Sequence, residues 1–194
     1  MEASAGGDVF DQWLQRCHYH VAIVFADIVG STLLIHSRGT EVYARVLSGY
    51  RERADRLAEG LDGRIVSREG DEIFAVFAAA GDAYRFARGL VDDAGHPLLT
   101  ARVGLHVGTV HPHDEGLIGR AVPFAARVMA HGAPHEFWTS DAAKTAIEHE
   151  MPAVAVAIPW VASEECVLDG VPAPQRLWRI ASEPGAHEGP PDRE

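Results

Sequence analysis

The sequence predicts an α+β fold: an antiparallel sheet with helices on one face, in the split β-α-β order called ferredoxin-like. Three observations carry that expectation. Residues 21–28, VAIVFADI, form an unbroken β-branched and aromatic run, the pattern of a strand buried on both faces. Residues 40–60 place Tyr43, Val46, Leu47, Tyr50, Ala54 and Leu57 at three-to-four spacing, the stripe of an amphipathic helix. Residues 63–77, GRIVSREGDEIFAVF, read as a hairpin of two strands, 64–67 and 72–77, around a turn at Glu69-Gly70-Asp71.

The remaining elements follow in order. Residues 1–20 form a polar N-terminal segment with a short helix expected over 9–16. After the first strand, Ser31 or Thr32 is suited to cap a helix. Gly81-Asp82 opens a helix running to about residue 93. Residues 99–110, LTARVGLHVGTV, alternate as a strand, and HPHDEG follows as a polar loop. Residues 117–131 read as helical, with Pro123 best placed near the first turn. Short strands at 137–139, 165–168 and 177–180 alternate with a helix at 141–148. The domain is expected to span residues 21–181. Residues 182–194, rich in Gly, Pro and Glu, lack periodicity and read as a disordered tail.

The charge balance narrows the function. Lys and Arg number 17 against 28 Asp and Glu, a net charge of −11. A chain this acidic lacks the clustered positive charge that displaces counterions from nucleic acid, so no nucleic-acid partner is expected. An acidic protein that binds a polyphosphate needs a divalent cation to neutralise it. No apolar run reaches the length of a membrane span, and the N-terminus lacks the basic start and apolar core of a secretory signal. Cys17 and Cys166 fit no disulfide framework or C-x-x-C pattern and read as thiols of a reducing, cytoplasmic setting.

Two carboxylates stand out by position. Asp27 closes the first buried strand, and Asp71 lies in the turn of the hairpin expected beside it. In this topology the two converge at one end of the sheet, where paired oxygen ligands suit Mg²⁺ or Mn²⁺. A Gly-Ser-Thr helix start follows Asp27, and its free N–H groups favour phosphate.

Four segments then carry a resemblance: FADIVGST (25–32), EGDEIFAVF (69–77), RVGLHVG (102–108) and GRAVPFAAR (119–127). Together they resemble the class III nucleotidyl cyclase catalytic domain, over roughly residues 21–140. The resemblance implies cyclisation of a nucleoside triphosphate to a 3′,5′-cyclic monophosphate and pyrophosphate by a head-to-tail homodimer with composite sites. It assigns two metal ions to Asp27 and Asp71, with the carbonyl of Ile28 as a further ligand. Val29, Gly30, Ser31 and Thr32 match the phosphate cradle, and Phe25 belongs with these nucleotide contacts. Arg127 matches the transition-state arginine that reaches the α-phosphate across the dimer, a task suited to a permanently charged, forked guanidinium.

The purine-reading positions depart from the family. Ser67 stands where a lysine usually precedes the second aspartate, Gly116 where an Asp or Thr completes adenine recognition, and Pro123 where an asparagine is usual. The metal and phosphate positions are retained, which suggests a changed base. The EGDE motif, the compact chain and Tyr50 on the long helix resemble the bacterial pyrimidine cyclases of Pycsar antiphage systems, which make cyclic UMP or cyclic CMP to activate a separate effector. There Tyr50 would narrow the base pocket, although its place on the apolar stripe fits core equally well. Arg68 could donate to a uracil carbonyl, which leans toward UTP, or could be an exposed hairpin arginine. CTP or ATP as substrate remains open, as does a catalytically silent, cyclase-like nucleotide sensor.

The eleven histidines do not organise into a metal cluster. His106, His111 and His113 lie in and after one strand without partners at zinc spacing. Trp138, Trp160 and Trp178 read as core or interface anchors.

Overall fold

The computed structural model describes residues 5–181 apart from Glu115. In chain order the helices are α1 (Ala5–Arg16), α2 (Ser31–Arg38), α3 (Thr40–Glu59), α4 (Ala80–Asp92), α5 (Ala121–His131), α6 (Asp141–Glu150) and α7 (Pro152–Ala155). The strands are β1 (His20–Ile28), β2 (Arg64–Glu69), β3 (Glu72–Phe77), β4 (Ala101–Thr109), β5 (His111–His113), β6 (Gly116–Ile118), β7 (Phe137–Ser140), β8 (Trp160–Ala162) and β9 (Leu177–Ile180). Seven of them form one sheet in the order β2-β3-β1-β4-β7-β9-β8, antiparallel except for the β4–β7 pair.

The apolar run of β1 is explained by burial on both sides. Ala22, Val24, Ala26 and Ile28 pack under α3, α4 and α6, together with Tyr50, Phe77, Phe86 and Leu105. Val21, Ile23 and Phe25 point the other way, into a second cluster with Trp13 and Leu14 of α1 and Ala121, Ala125 and Met129 of α5. Helices therefore lie on the expected face, and α1 and α5 cover part of the other. The reason is compositional: the odd-numbered side chains of β1 are as apolar as the even ones and need their own cover. For the same reason α1, though it falls in the N-terminal segment, is fixed to the sheet by a fully buried Trp13.

Two glycines set how α5 lies. Gly104, Gly108 and His106 between them share one face of β4 by the period of two. A Cβ on Gly104 would fall 2.2 Å from the Met129 backbone nitrogen, and one on Gly108 2.6 Å from Ala121 Cβ. The helix thus rests directly on strand backbone at two points. His106 fills the space between, its ring 4.5 Å from Phe124 and its Nδ1 2.8 Å from Ser140 Oγ.

Several boundaries differ from the sequence reading. The cap of α2 is Gly30, in the left-handed region at φ 82°, and neither Ser31 nor Thr32 caps the helix. Residues 117–118 belong to β6, and α5 begins at Ala121, because HPHDEG is part of a β5–β6 hairpin. Residues 165–168 form no strand, only an isolated Cys166–Gln175 bridge, and the short edge strand β8 takes the outer place. The expected tail, 182–194, lies outside the described residues. Among the described residues no helix is long and apolar enough to cross a membrane.

Candidate active site

The register of three adjacent strands builds the site. Asp27 is the last outward side chain of β1 and lies directly opposite Arg102 of β4. The pairing of Ala26 with Ile73 puts Glu72 beside Asp27 on the other flank, and Glu69 pairs with Glu72 one strand further out. A single cross-strand row therefore reads Glu69, Glu72, Asp27, Arg102. The next row inward is Ser67, Phe74, Phe25, Gly104, in which Phe25 and Phe74 stack with ring centroids 4.7 Å apart.

Arg102 holds Asp27 through two donors, Nε at 3.1 Å and Nη2 at 2.8 Å, both to Oδ2. The Ile28 N–H also donates to the Asp27 carboxylate. Burial nevertheless raises the Asp27 pKa above the ordinary carboxylate value; Arg102 opposes the rise and the charge of Asp71 adds to it. Glu72 is raised likewise, first by burial and then by Asp27, Glu69 and Asp71. The two aspartates are thus close enough to feel each other, as the topology predicts. Asp71 Oδ2 is buried without a hydrogen-bond partner.

That orphaned oxygen, a second half-buried carboxylate beside it and the Ile28 backbone form a hard oxygen donor set that suits Mg²⁺ or Mn²⁺. Among the described residues no cluster of three or more His, Cys, Asp or Glu converges as a metal site, so the pair rests on these two carboxylates.

The loop after β1 is shaped for anion contact. Val29 N–H is committed to the Thr100 carbonyl at 2.8 Å, while Gly30 turns the chain left-handed into α2. With no side-chain cap, the first amides of α2 have no side-chain acceptor at a dipole's positive end. Ser31 hydrogen-bonds to Tyr43 of α3, and Arg51 of the same helix donates to the Gly70 carbonyl in the turn that carries Asp71. Helix α3 thereby braces both loops.

Other expected site residues fall elsewhere. Arg68 pairs across β2–β3 with Ile73, faces α3 and forms an ion pair with Asp55, so it does not lie on the Phe25 face. Tyr50 is fully buried in the α3 core. Its hydroxyl has no hydrogen-bond partner, and burial with the nearby charges of Asp27, Asp71 and Glu72 pushes its pKa up. Arg127 sits on α5 with Nη1 donating to the Pro123 carbonyl at 2.9 Å and Nε to that of Asp169. It therefore belongs to the β7–β9 end of the molecule and is not brought to Asp27 within one chain. Ser67 shares the Phe74 face, Gly116 begins β6, and Pro123 is exposed on the first turn of α5. Lys144 lies between the rings of Trp160 and Trp178 and pairs with Glu148, so it supplies nothing to the site. The sequence reading missed Arg102 and Glu72 as members of the site, though both stand in quoted motifs; the signal was strand register across β1.

No protein-family model matches the chain. An adenylate cyclase of Streptomyces coelicolor is 30% identical over 112 residues, covering 57% of this chain and 29% of that protein, so the chain spans under a third of the curated relative's length. Among solved structures, an adenylate/guanylate cyclase/hydrolase from Silicibacter pomeroyi superposes with TM-score 0.70 at 26% identity, over 84% of this chain and 97% of that one. An adenylate cyclase from Trypanosoma brucei gives TM-score 0.75 at 18% identity, covering 87% and 92%. The guanylate cyclase domain of RhGC from Catenaria anguillulae, solved with GTP, gives 0.72 at 18%, covering 84% and 97%. With its sheet order, its hairpin and its two converging aspartates, the chain has the fold of the class III nucleotidyl cyclase catalytic domains.

Proposed function

We propose that the protein is a nucleotidyl cyclase that converts UTP to 3′,5′-cyclic UMP and pyrophosphate as a homodimer. The observation that carries cyclase chemistry is the convergence of Asp27 and Asp71, one with a buried oxygen lacking any partner, beside the uncapped start of α2. Asp27, Asp71 and the Ile28 carbonyl would hold divalent cations, Mn²⁺ or Mg²⁺. Such ions lower the pKa of a bound hydroxyl and neutralise triphosphate charge. The α2 amides at Ser31 and Thr32 then hold the outer phosphates. The ribose 3′-oxygen attacks the α-phosphorus, the bond to the β-phosphate bridging oxygen breaks, pyrophosphate leaves and the hydroxyl proton passes to solvent.

Arg127 supports a composite site. Within one chain it is turned to the Asp169 loop, so it serves this chemistry from a partner that presents α5 to the Asp27 end. Support for a pyrimidine comes from Ser67, which leaves the usual lysine position beside the stacked Phe25 and Phe74 without a cationic base contact. Arg68 is not carried into the proposal because Asp55 holds it on the other face. The biological reading is synthesis of a second messenger for antiphage defence in the cytoplasm, acting on a separate effector.

The test is product identification by mass after incubating purified protein with Mn²⁺ and each of ATP, GTP, CTP and UTP. Cyclic UMP as main product is expected. Cyclic CMP or a cyclic purine would replace the substrate assignment. No product from any of the four, with the dimer intact, would leave the silent sensor as the better reading, for which Pro123 and Gly116 speak.

A further inference from the structure

We propose that Arg102 is an internal counter-ion, which occupies Asp27 in the ion-free protein and must leave Asp27 Oδ2 for a divalent cation to bind there. This rests on the metal-ligand reading of Asp27 and Asp71, not on the identity of the nucleotide.

The two aspartates are served unequally. Both Arg102 donors end on one oxygen, Asp27 Oδ2, at 3.1 and 2.8 Å, whereas Asp71 Oδ2 is buried with no partner. Among the described residues no other arginine, nor Lys144, forms an ion pair with Asp27, Asp71 or Glu72. Arg51 reaches only the Gly70 carbonyl, and Arg68 is taken by Asp55. Among the described residues Arg102 is therefore the one cation in an ion pair with this acidic row, and its side chain and that of Asp27 are only 31% and 17% exposed. At such a place an unopposed carboxylate is costly, and a forked guanidinium is a strong partner for it.

A divalent cation held by Asp27 would compete with Arg102 for the same carboxylate. A cation bound at Asp27 would bring a second positive charge next to the guanidinium held on Oδ2, and the two would repel. The ion pair with Arg102 thus holds down metal affinity at Asp27. A purely orienting Arg102 would have the opposite sign: its removal would let Asp27 wander and weaken binding.

The experiment is Mn²⁺ titration of the nucleotide-free full chain, with free Mn²⁺ followed by electron paramagnetic resonance. Arg102→Met and Arg102→Gln are each expected to bind roughly tenfold tighter than wild type, the worth of about one charge-assisted hydrogen bond. The gain should vanish when Asp27→Asn is added. Unchanged or weaker binding in both variants, or a gain that survives Asp27→Asn, overturns the proposal. A measurement on the wild type guards against misfolded variants: nitrogen NMR of the arginine side chains under Mg²⁺ titration. The Arg102 Nε signal should move to the position of a free guanidinium as Mg²⁺ saturates the site; an unmoved signal also overturns it. A chain that shows this exchange yet forms no cyclic nucleotide would defeat the proposed reaction while leaving the role of Arg102 intact.

Discussion

Asp27, Tyr50 and His106 show how a residue's surroundings fix its role. Asp27→Ala and Asp71→Ala are each expected to lower product formation at least a hundredfold with the fold kept, since each removes a proposed cation ligand from the half-buried end of β1 and its neighbouring turn; circular dichroism and the product assay check both. Turnover near wild type in either would remove the metal pair from the reaction. Tyr50→Phe deletes an unpartnered buried hydroxyl, so stability should stay level or rise by about 1 kcal/mol in urea unfolding. A large rise in KM for the nucleotide with level stability would instead return Tyr50 to the base pocket. His106, partly buried beneath α5, is pH-sensitive: burial, aided by His20, lowers its pKa to about 4. The unfolded chain, with an ordinary pKa near 6.5, takes up this proton first, so the contribution is whole above about pH 6.5 and is lost as pH falls toward 4. Urea midpoints at pH 7, 6 and 5 should fall, and His106→Gln should flatten that fall.

Among the elements, the β4–α5 contact is the most sharply constrained. Gly104→Ala forces a methyl into the Met129 backbone, which no rotamer change relieves, and should cost about 3 kcal/mol or more. Denaturant unfolding reads this, and a cost under about 0.5 kcal/mol would mean that α5 shifts freely. Such a shift matters because α5 carries Arg127. The sequence showed β4 as an alternating strand and α5 as a helix, but not their close approach. Glycines at alternate strand positions signal a bulge, a bend or a close approach equally. The α5 start was misread for a related reason: Leu117 and Ile118 fit an apolar helix stripe, and only pairing with Pro112 and His111 makes them a strand.

For the whole molecule, Arg127 is held by the Asp169 and Pro123 carbonyls rather than at Asp27, so the proposed composite site calls for a second copy. Mixing Asp27→Ala with Arg127→Ala, each inactive alone, should restore about a quarter of wild-type activity. Random exchange makes about half the dimers mixed, each with one intact site of two. No recovery after subunit exchange shown by native mass spectrometry would argue for sites complete within one chain. The charge of −11 fits a molecule that handles polyphosphate through cations, with Lys144 kept structural between two tryptophans.

The sequence by itself determined β1, the β2–β3 hairpin, β4 and the long helices, and pointed Asp27 and Asp71 toward one end of the sheet. These depend on local periodicity, on turn chemistry and on the short connection between neighbouring strands. Tertiary structure alone decided the rest. Arg102 meets Asp27 across 75 residues because two strands pair in one register, and a shift of one residue would have turned it to the other face. The same alternation puts Arg68 against Asp55 and Ser67 beside Phe74, neighbours in sequence sent to opposite sides of the sheet. Which side faces the site depends on what packs against each face, a property of the folded whole.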